Sequence, residues 1–326
     1  MNGARAQLAP VLAAGGPSLS RLLERTEARL AAIAESQGEA LARHASETLS
    51  AGGKRLRPLL VFLCADGDDS GLVAAAASVE LLHMATLVHD DVLDRATLRR
   101  GRPTVFAQGG RPAATAAGDL LFSRAFAELV TSGSEEGVRV LSGASSSLAR
   151  GELMQRADAW SEDVTPERYV ERCLLKTASL FDASCRLGSL LGGRPELAEP
   201  LGGFGERVGL AFQMLDDVLD VSGPTERTGK PRGADLLDGT VTLPLILARR
   251  LDPALRSLDL HSAVTGPAEA EAVCDRIALS GALGEARRLA LTHVAEAKAL
   301  LEGIDLPGDR LEALGLVADG VVERYA

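Results

Sequence analysis

The sequence predicts an all-α fold on three observations. Apolar residues make up 46% of the 326 and aromatics only 3%, with alanine and leucine dominant. Apolar positions recur at helical spacing, and the alternation of a half-buried strand is hard to find. Glycine and proline cluster between long segments. A chain this long holds one large domain or two ordinary ones, and no linker long enough to separate domains is visible. The expectation is a loosely ordered stretch over 1–17, then a single large helical bundle over 18–326 with a central cavity.

Taken in order, helical patterning runs from Ser18 to Ser50 and stops at Ala51-Gly52-Gly53. A second segment opens on a basic turn at Lys54 and reaches Ala65, ahead of a loop over Asp66–Gly71. The third begins near Gly71 and stops by Gly101-Arg102-Pro103, where glycine and proline end it. Its most apolar stretch, Leu72–Val88, is broken by Ser78, Glu80 and His83, so it reads as a core helix and not a membrane span. A short helix over Ala113–Ser132 and one over Glu135–Ala159 follow, and Thr165-Pro166 starts the next, which runs to Leu191. Gly192–Gly203 reads as a turn. The helix after it leads into Ser222–Gly239, where four glycines and two prolines among charged residues read as a mobile surface loop. Thr242-Leu243-Pro244 starts a further helix, and two or more helices complete the chain.

The net charge of −10 and the scarcity of aromatic residues leave neither a basic field nor a stacking surface for nucleic acid. Cys64, Cys173, Cys185 and Cys274 show no metal-ligand spacing, so buried free thiols in a reducing compartment are expected. The N-terminus carries no basic-then-apolar signal pattern, and the expected location is the cytoplasm.

One pentapeptide, Asp-Asp-Val-Leu-Asp, occurs twice, at Asp90–Asp94 and Asp216–Asp220. On a helix its first and fifth carboxylates lie one turn apart on one face, with the second turned partly away. A lone copy in an acidic chain is usually a solvated helical face. Here Met84–Val88 and Leu210-Ala211-Phe212, the apolar flanks, and the repetition itself argue for two metal-bearing walls that share a phosphate-bearing ligand. Mg²⁺ suits such oxygen ligands, and the first copy lies at a helix end where the dipole favours cations.

Positive charge gathers beside the carboxylates: Arg95, Arg99, Arg100 and Arg102 after the first copy, Gly229-Lys230-Pro231-Arg232 after the second. Upstream, Lys54 and Arg57 share a face at i, i+3. Singly, each is an ordinary surface charge; together they make two phosphate sites, one bridged through metal and one purely basic. His83, on a mostly apolar helix, would ordinarily be a core residue. Its place seven residues before Asp90, two turns away on nearly the same face, turns it toward the site, whereas His89 reads as structural.

In this order, Gly52–Pro58, His83–Asp94, Leu98–Gly101, Lys176-Thr177, Phe212–Asp220 and Gly229-Lys230 with Asp235-Leu236 resemble the trans-isoprenyl diphosphate synthases (polyprenyl synthetases) of medium- or long-chain type. The resemblance covers roughly Gly52 to Pro244. It implies an isoprenoid-synthase helical bundle, a homodimer, and Mg²⁺-dependent condensation of isopentenyl diphosphate with an allylic diphosphate primer. Asp90 and Asp94 would bind two ions and Asp216 a third, with Asp217 and Asp220 as outer partners. Arg99 would assist on the allylic diphosphate; Lys54, Arg57, His83 and Arg100 would hold isopentenyl diphosphate. Lys176, Thr177 and Gln213 would line the region of the allylic cation, and Lys230 would close over the diphosphate and exclude water. Where the family commonly has a lysine-containing stretch, this chain reads Leu237-Asp238-Gly239-Thr240, which puts one phosphate contact in doubt.

Val79, Leu82 and Thr86 step down one helical face from Asp90 by ~5.4 Å per turn. In short-chain members of the family a bulky aromatic residue plugs this face at the fourth or fifth position before the aspartates, where this chain has Thr86 and Ala85. Each isoprene unit adds about 4 kcal/mol of apolar burial, so elongation runs on until blocked, toward a product longer than C15, in the range of about C30 to C45, with C20 as the short alternative. Three rivals fit less well. A terpene cyclase would not need Lys54 and Arg57 and usually has an aromatic-lined cavity; a non-catalytic subunit of a heteromeric synthase should have lost metal ligands; a di-iron bundle needs a paired Glu-x-x-His motif that is missing.

Overall fold

The computed structural model describes residues 2–36, 55–67, 70–99, 101–223 and 232–323. Among them the only strands are β1 (Leu98–Arg99) and β2 (Arg102–Pro103), a hairpin that sets Leu98 opposite Pro103 and Arg99 opposite Arg102. All other regular structure is helical, as the breaker spacing predicts.

The first helix corrects an expectation. Asn2–Ala14 is helical (α1), not loosely ordered. Leu8 and Val11, one turn apart, are both buried, and Gly15-Gly16-Pro17 forms the junction to the next helix, with Gly16 at φ 74° and Pro17 in the first turn of α2 (Gly16–Glu35). Leu19, Leu22, Thr26, Leu30 and Ile33 form the buried stripe of α2. Next come α3 (Leu56–Leu63) and α4 (Ser70–Leu93). Gly71–Leu93 is long and apolar enough to cross a membrane, yet 78% of its most apolar window is buried within the protein.

Helix α5 (Val105–Val130) begins eight residues before the expected Ala113. The breakers that suggested a loop only kink it, through Gly110 at φ 70° followed by Pro112, and Thr104 caps its start by accepting from the Ala107 N–H at 3.0 Å. After α6 (Glu135–Ala157) comes α7 (Pro166–Cys173), capped by Thr165; a π-helical turn over Leu174–Ala178 then joins it to α8 (Ser179–Leu191). The expected turn over Gly192–Gly203 ends early: a 3₁₀ turn, Pro195–Leu197, leads into α9 (Ala198–Ser222). Its glycines serve packing here, since a Cβ at Gly205 would stand 2.6 Å from the Phe181 carbonyl oxygen. Of the Ser222–Gly239 loop, residues 224–231 lie outside the described residues, and Ala234–Leu237 forms α10. Then follow α11 (Leu243–Leu251), α12 (Pro253–Arg256), α13 (Leu260–Ala263), α14 (Pro267–Leu279), α15 (Ala282–Leu300) and α16 (Gly308–Glu323).

Backbone packing divides the chain into two compact units. One comprises Met1–Ser145, Leu180–Gly205 and Leu300–Gly320; the other comprises Ser146–Ser179, Glu206–Ala299 and Val321–Ala326. Every boundary falls inside a helix, which is why no linker is visible. In the first unit α4 packs against α2, α3 and α5, over a core that includes Leu59, Phe62, Leu81 and Phe181. In the second, α11 packs against α7 and α14, and Tyr169, Leu245 and Ile277 are buried. The first aspartate cluster belongs to the first unit and the second cluster to the second.

Candidate active site

Helix α4 delivers the first cluster at its C-terminal end. Asp90 is half-buried and Asp94 exposed, and the Asp94 N–H donates to the Asp90 carbonyl at 2.8 Å, so the one-turn register holds through the helix end. The second carboxylate is not merely turned aside. Asp91 is buried, and Arg99 Nε donates to its Oδ1 at 2.8 Å. Arg95, in the left-handed region at φ 51°, turns the chain into the hairpin that brings Arg99 back to the helix. Arg99 thus has a structural partner, with other guanidinium nitrogens left for an anion. Arg100 lies outside the described residues.

Above the cluster, His83 and Thr86 are half-buried, and the Thr86 hydroxyl donates to the His83 carbonyl at 2.7 Å. Val79, Leu82 and Ala85 have no solvent exposure at all. The face that the sequence assigns to the growing tail is therefore closely packed. His89 sits where a structural residue would: its ring fills the space that a Cβ at Gly118 would need, with Nε2 3.2 Å from Asp119 Oδ1.

The second cluster is tied into a longer chain of hydrogen bonds. Asp216 and Asp220 are half-buried, whereas Asp217 is 3% exposed. Tyr169 Oη donates to Asp217 Oδ2 at 2.6 Å, Gln213 Nε2 donates to Asp217 Oδ1 at 2.8 Å, and Thr177 Oγ1 donates to Gln213 Oε1 at 2.7 Å. Burial, then the charges of Asp235 and Asp216, push the Asp217 pKa up, against the two donors, which favour its charge. Burial and the same carboxylate raise the Tyr169 pKa. The Asp220 side chain accepts from the Asp235 N–H at 3.3 Å, at the start of α10. Tyr169 is the residue that sequence reasoning missed. As one of only two tyrosines in the chain, on a helix leading into Lys176-Thr177, it offered a weak signal.

Lys176 and Thr177 stand on the π-helical turn, a feature often found at functional sites. A Cβ on Gly151 of α6 would come within 2.5 Å of the Lys176 backbone nitrogen, so glycine permits this close approach. The Lys176 ammonium pairs with Glu152, which also accepts from Arg156 Nε at 2.7 Å. Burial opposes the Glu152 charge, but the Lys176 and Arg156 charges outweigh it and hold its pKa below 4.5.

Of the basic upstream motif, Lys54 lies outside the described residues. Arg57 is half-buried with its guanidinium carbon 4.6 Å from the centroid of the Phe181 ring, a cation–π geometry. Arg55, at φ 48°, pairs with Glu27 and Glu80. Burial opposes its charge, but these carboxylates raise its pKa. Lys230 also lies outside the described residues. Where the family's lysine-containing stretch is replaced, Gly239 (φ 73°) packs on Trp160: a Cβ there would meet the indole at 2.2 Å, and the Trp160 backbone N–H donates to the Gly239 carbonyl at 2.8 Å.

Among the described residues no three His, Cys, Asp or Glu side chains converge as a complete metal cage. The paired carboxylates of Asp90 and Asp94 and the half-buried Asp216 are oxygen donors of the kind that suits Mg²⁺, which takes one or two carboxylates and fills the rest with water and substrate phosphate.

Fold and site together define an all-helical protein with two aspartate-rich helix ends. A family model described as Polyprenyl synthetase matches residues 38–277, and the chain belongs to that family. It is 38% identical over 305 residues to a Geobacillus stearothermophilus protein named heptaprenyl diphosphate synthase component 2, covering 92% of this chain and 94% of that one. Among solved structures, heptaprenyl diphosphate synthase from Staphylococcus aureus aligns with a TM-score of 0.89 at 28% identity, over 94% of this chain and 99% of that one. Polyprenyl synthase from Caulobacter crescentus, complexed with calcium and isoprenyl diphosphate, aligns with a TM-score of 0.86 at 32% identity, over 98% of each chain.

Proposed function

We propose that this chain is a Mg²⁺-dependent prenyltransferase that condenses isopentenyl diphosphate with an allylic diphosphate to an all-trans polyprenyl diphosphate. The observation that carries the reading is the pair of aspartate clusters at helix ends in a member of the polyprenyl synthetase family. Asp90 and Asp94 hold two ions and Asp216 a third. Bound Mg²⁺ supplies the positive charge that lets diphosphate leave. Arg99 binds the allylic diphosphate. Lys54, Arg57, His83 and Arg100 hold isopentenyl diphosphate with its double bond toward the allylic carbon, and Lys230 excludes water. Thr177 and the Gln213 carbonyl place oxygen dipoles where positive charge develops. The departing diphosphate takes the final proton, so no side chain is needed as a base.

The product is longer than C15, within about C30 to C45, because no aromatic residue stands at Ala85 or Thr86 and each isoprene added gains burial. The close packing of Val79, Leu82 and Ala85 favours a second reading, in which growth stops at about C20, at Leu82, about two turns of helix below the aspartates. A homodimer in the cytoplasm belongs to the same proposal, on the family resemblance. The word component in the relative's name makes a heteromer the alternative, and the mass of the purified protein in solution separates the two.

Purified protein incubated with Mg²⁺, isopentenyl diphosphate and allylic primers of several lengths should yield a polyprenyl diphosphate. No product with any primer would sink the enzyme reading. Ala85→Phe should shorten the product, and an unchanged length would overturn the pocket assignment.

A further inference from the structure

The hydrogen-bond chain that ends at Thr177 begins at a residue to which the reaction gives no task. Tyr169 is 1% exposed, and its hydroxyl reaches one oxygen of Asp217 while the Gln213 amide reaches the other. Asp217 is therefore gripped at both oxygens. A glutamine amide can sit in two orientations that differ by a half-turn and occupy nearly the same space. With Asp217 fixed, only one is satisfied: the NH₂ group faces the carboxylate, and the carbonyl oxygen faces Thr177, whose hydroxyl donates to it at 2.7 Å. While Asp217 is ionised, the reversed amide would set a carbonyl oxygen against a carboxylate oxygen, two acceptors with no proton between them. We propose that Tyr169 is a positioning residue: by anchoring Asp217 it fixes the Gln213 amide with its carbonyl oxygen toward Thr177 and the developing positive charge.

The proposal rests on the prenyltransferase reading, and it gives Asp217 a task other than holding metal. The repeated motif supports it. At the corresponding position of the first copy, Asp91 is also buried and tethered, there by Arg99. The second residue of each copy is thus a fastening point, and in the second copy the fastening runs on through Gln213 to Thr177. Tyr169 stands one turn before Cys173, at the end of α7 just ahead of the π-helical turn that carries Thr177. The two ends of the hydrogen-bond chain are therefore set by one continuous run of helix.

Tyr169→Phe keeps the buried ring and deletes only the hydroxyl. If the hydroxyl positions Gln213, kcat should fall about ten-fold or more, the loss of one well-made hydrogen bond, while KM for both diphosphates stays within about two-fold. In a Gln213→Met background, which has no amide to orient, adding Tyr169→Phe should lower kcat no further. Equal losses in both backgrounds would overturn the proposal, as would a Tyr169→Phe enzyme with unchanged kcat. A second measurement does not depend on activity. The side-chain NH₂ protons of Gln213, assigned by their disappearance in Gln213→Met, should give two sharp, slowly exchanging NMR signals in the unmodified protein and broaden or exchange faster in Tyr169→Phe. Unchanged signals would also overturn it. Absence of condensation by the unmodified protein would instead refute the enzyme reading, and the NMR result would still decide whether Tyr169 holds the amide.

Discussion

The two copies of Asp-Asp-Val-Leu-Asp are identical in sequence and different in circumstance. In the first, the buried second aspartate meets a cation, Arg99, held by a short hairpin. In the second, it meets two neutral donors, Tyr169 and Gln213, with the further negative charge of Asp235 close enough to raise its pKa. The buried aspartate of the first copy thus meets a cation of the protein itself, and that of the second meets neutral donors. The local sequence sets the face on which the first and fifth carboxylates stand. Residues outside the pentapeptide, from four to 48 positions away, decide what becomes of the second.

The largest expected effect tests whether the two copies share one task. Asp90→Ala and Asp216→Ala should each lower kcat/KM by at least about 10³-fold, since metal charge stabilisation amounts to several kcal/mol. Incorporation of labelled isopentenyl diphosphate at saturating Mg²⁺ would show it, and a variant with near-normal turnover would break the symmetry between the copies.

A smaller effect tests the difference directly, in metal-free protein. Asp91→Asn should lower stability by about 2 kcal/mol, because it takes the charge from a buried hydrogen bond and leaves the Arg99 guanidinium without its counter-charge. Asp217→Asn should instead change the pH dependence. A carboxyl whose pKa is raised in the folded state favours folding while protonated, and that contribution is lost as pH rises above the ordinary value of 3.8. Melting curves in chelator should show the unmodified protein losing stability with rising pH and Asp217→Asn losing less. A parallel slope would mean that Asp217 is not electrostatically stressed.

The smallest effect lies beside the second copy. Glu152→Gln should cost about 1 kcal/mol at neutral pH, through its bonds to Lys176 and Arg156. The Glu152 pKa is lowered, so its contribution is present above 4.5 and lost as pH falls through the acidic range. The melting temperatures of the two proteins should therefore converge in acid; a gap that persists there would assign the effect to packing.

Much of this was legible because it is local. The one-turn spacing of the carboxylates, the cap at Thr165 and the stop at Leu191 are set by neighbours in sequence, and the structure agrees with each. What was not legible depends on distant partners. Glycines near Gly203 read as a turn because their need is to let α9 approach Phe181, which no local pattern reveals. Residues 1–17 read as loose because their glycines and proline mask the burial of Leu8 and Val11. The tether from Tyr169 spans 48 positions to Asp217, and nothing near Asp217 in the sequence announces it.

The π-helical turn at Leu174–Ala178 bears on how such chains can diverge. A π turn amounts to one residue inserted into an α-helix, and each residue of an α-helix advances the chain by about 100°. Losing a single codon here would restore a regular helix and swing everything on one side of the deletion by that angle relative to the other. Lys176-Thr177 could then no longer keep its bearing toward Gln213 while α8 keeps its buried face. Gene variants should therefore tolerate exchanges of side chain in this turn far better than a change in its length, although length changes are usually harmless in surface loops.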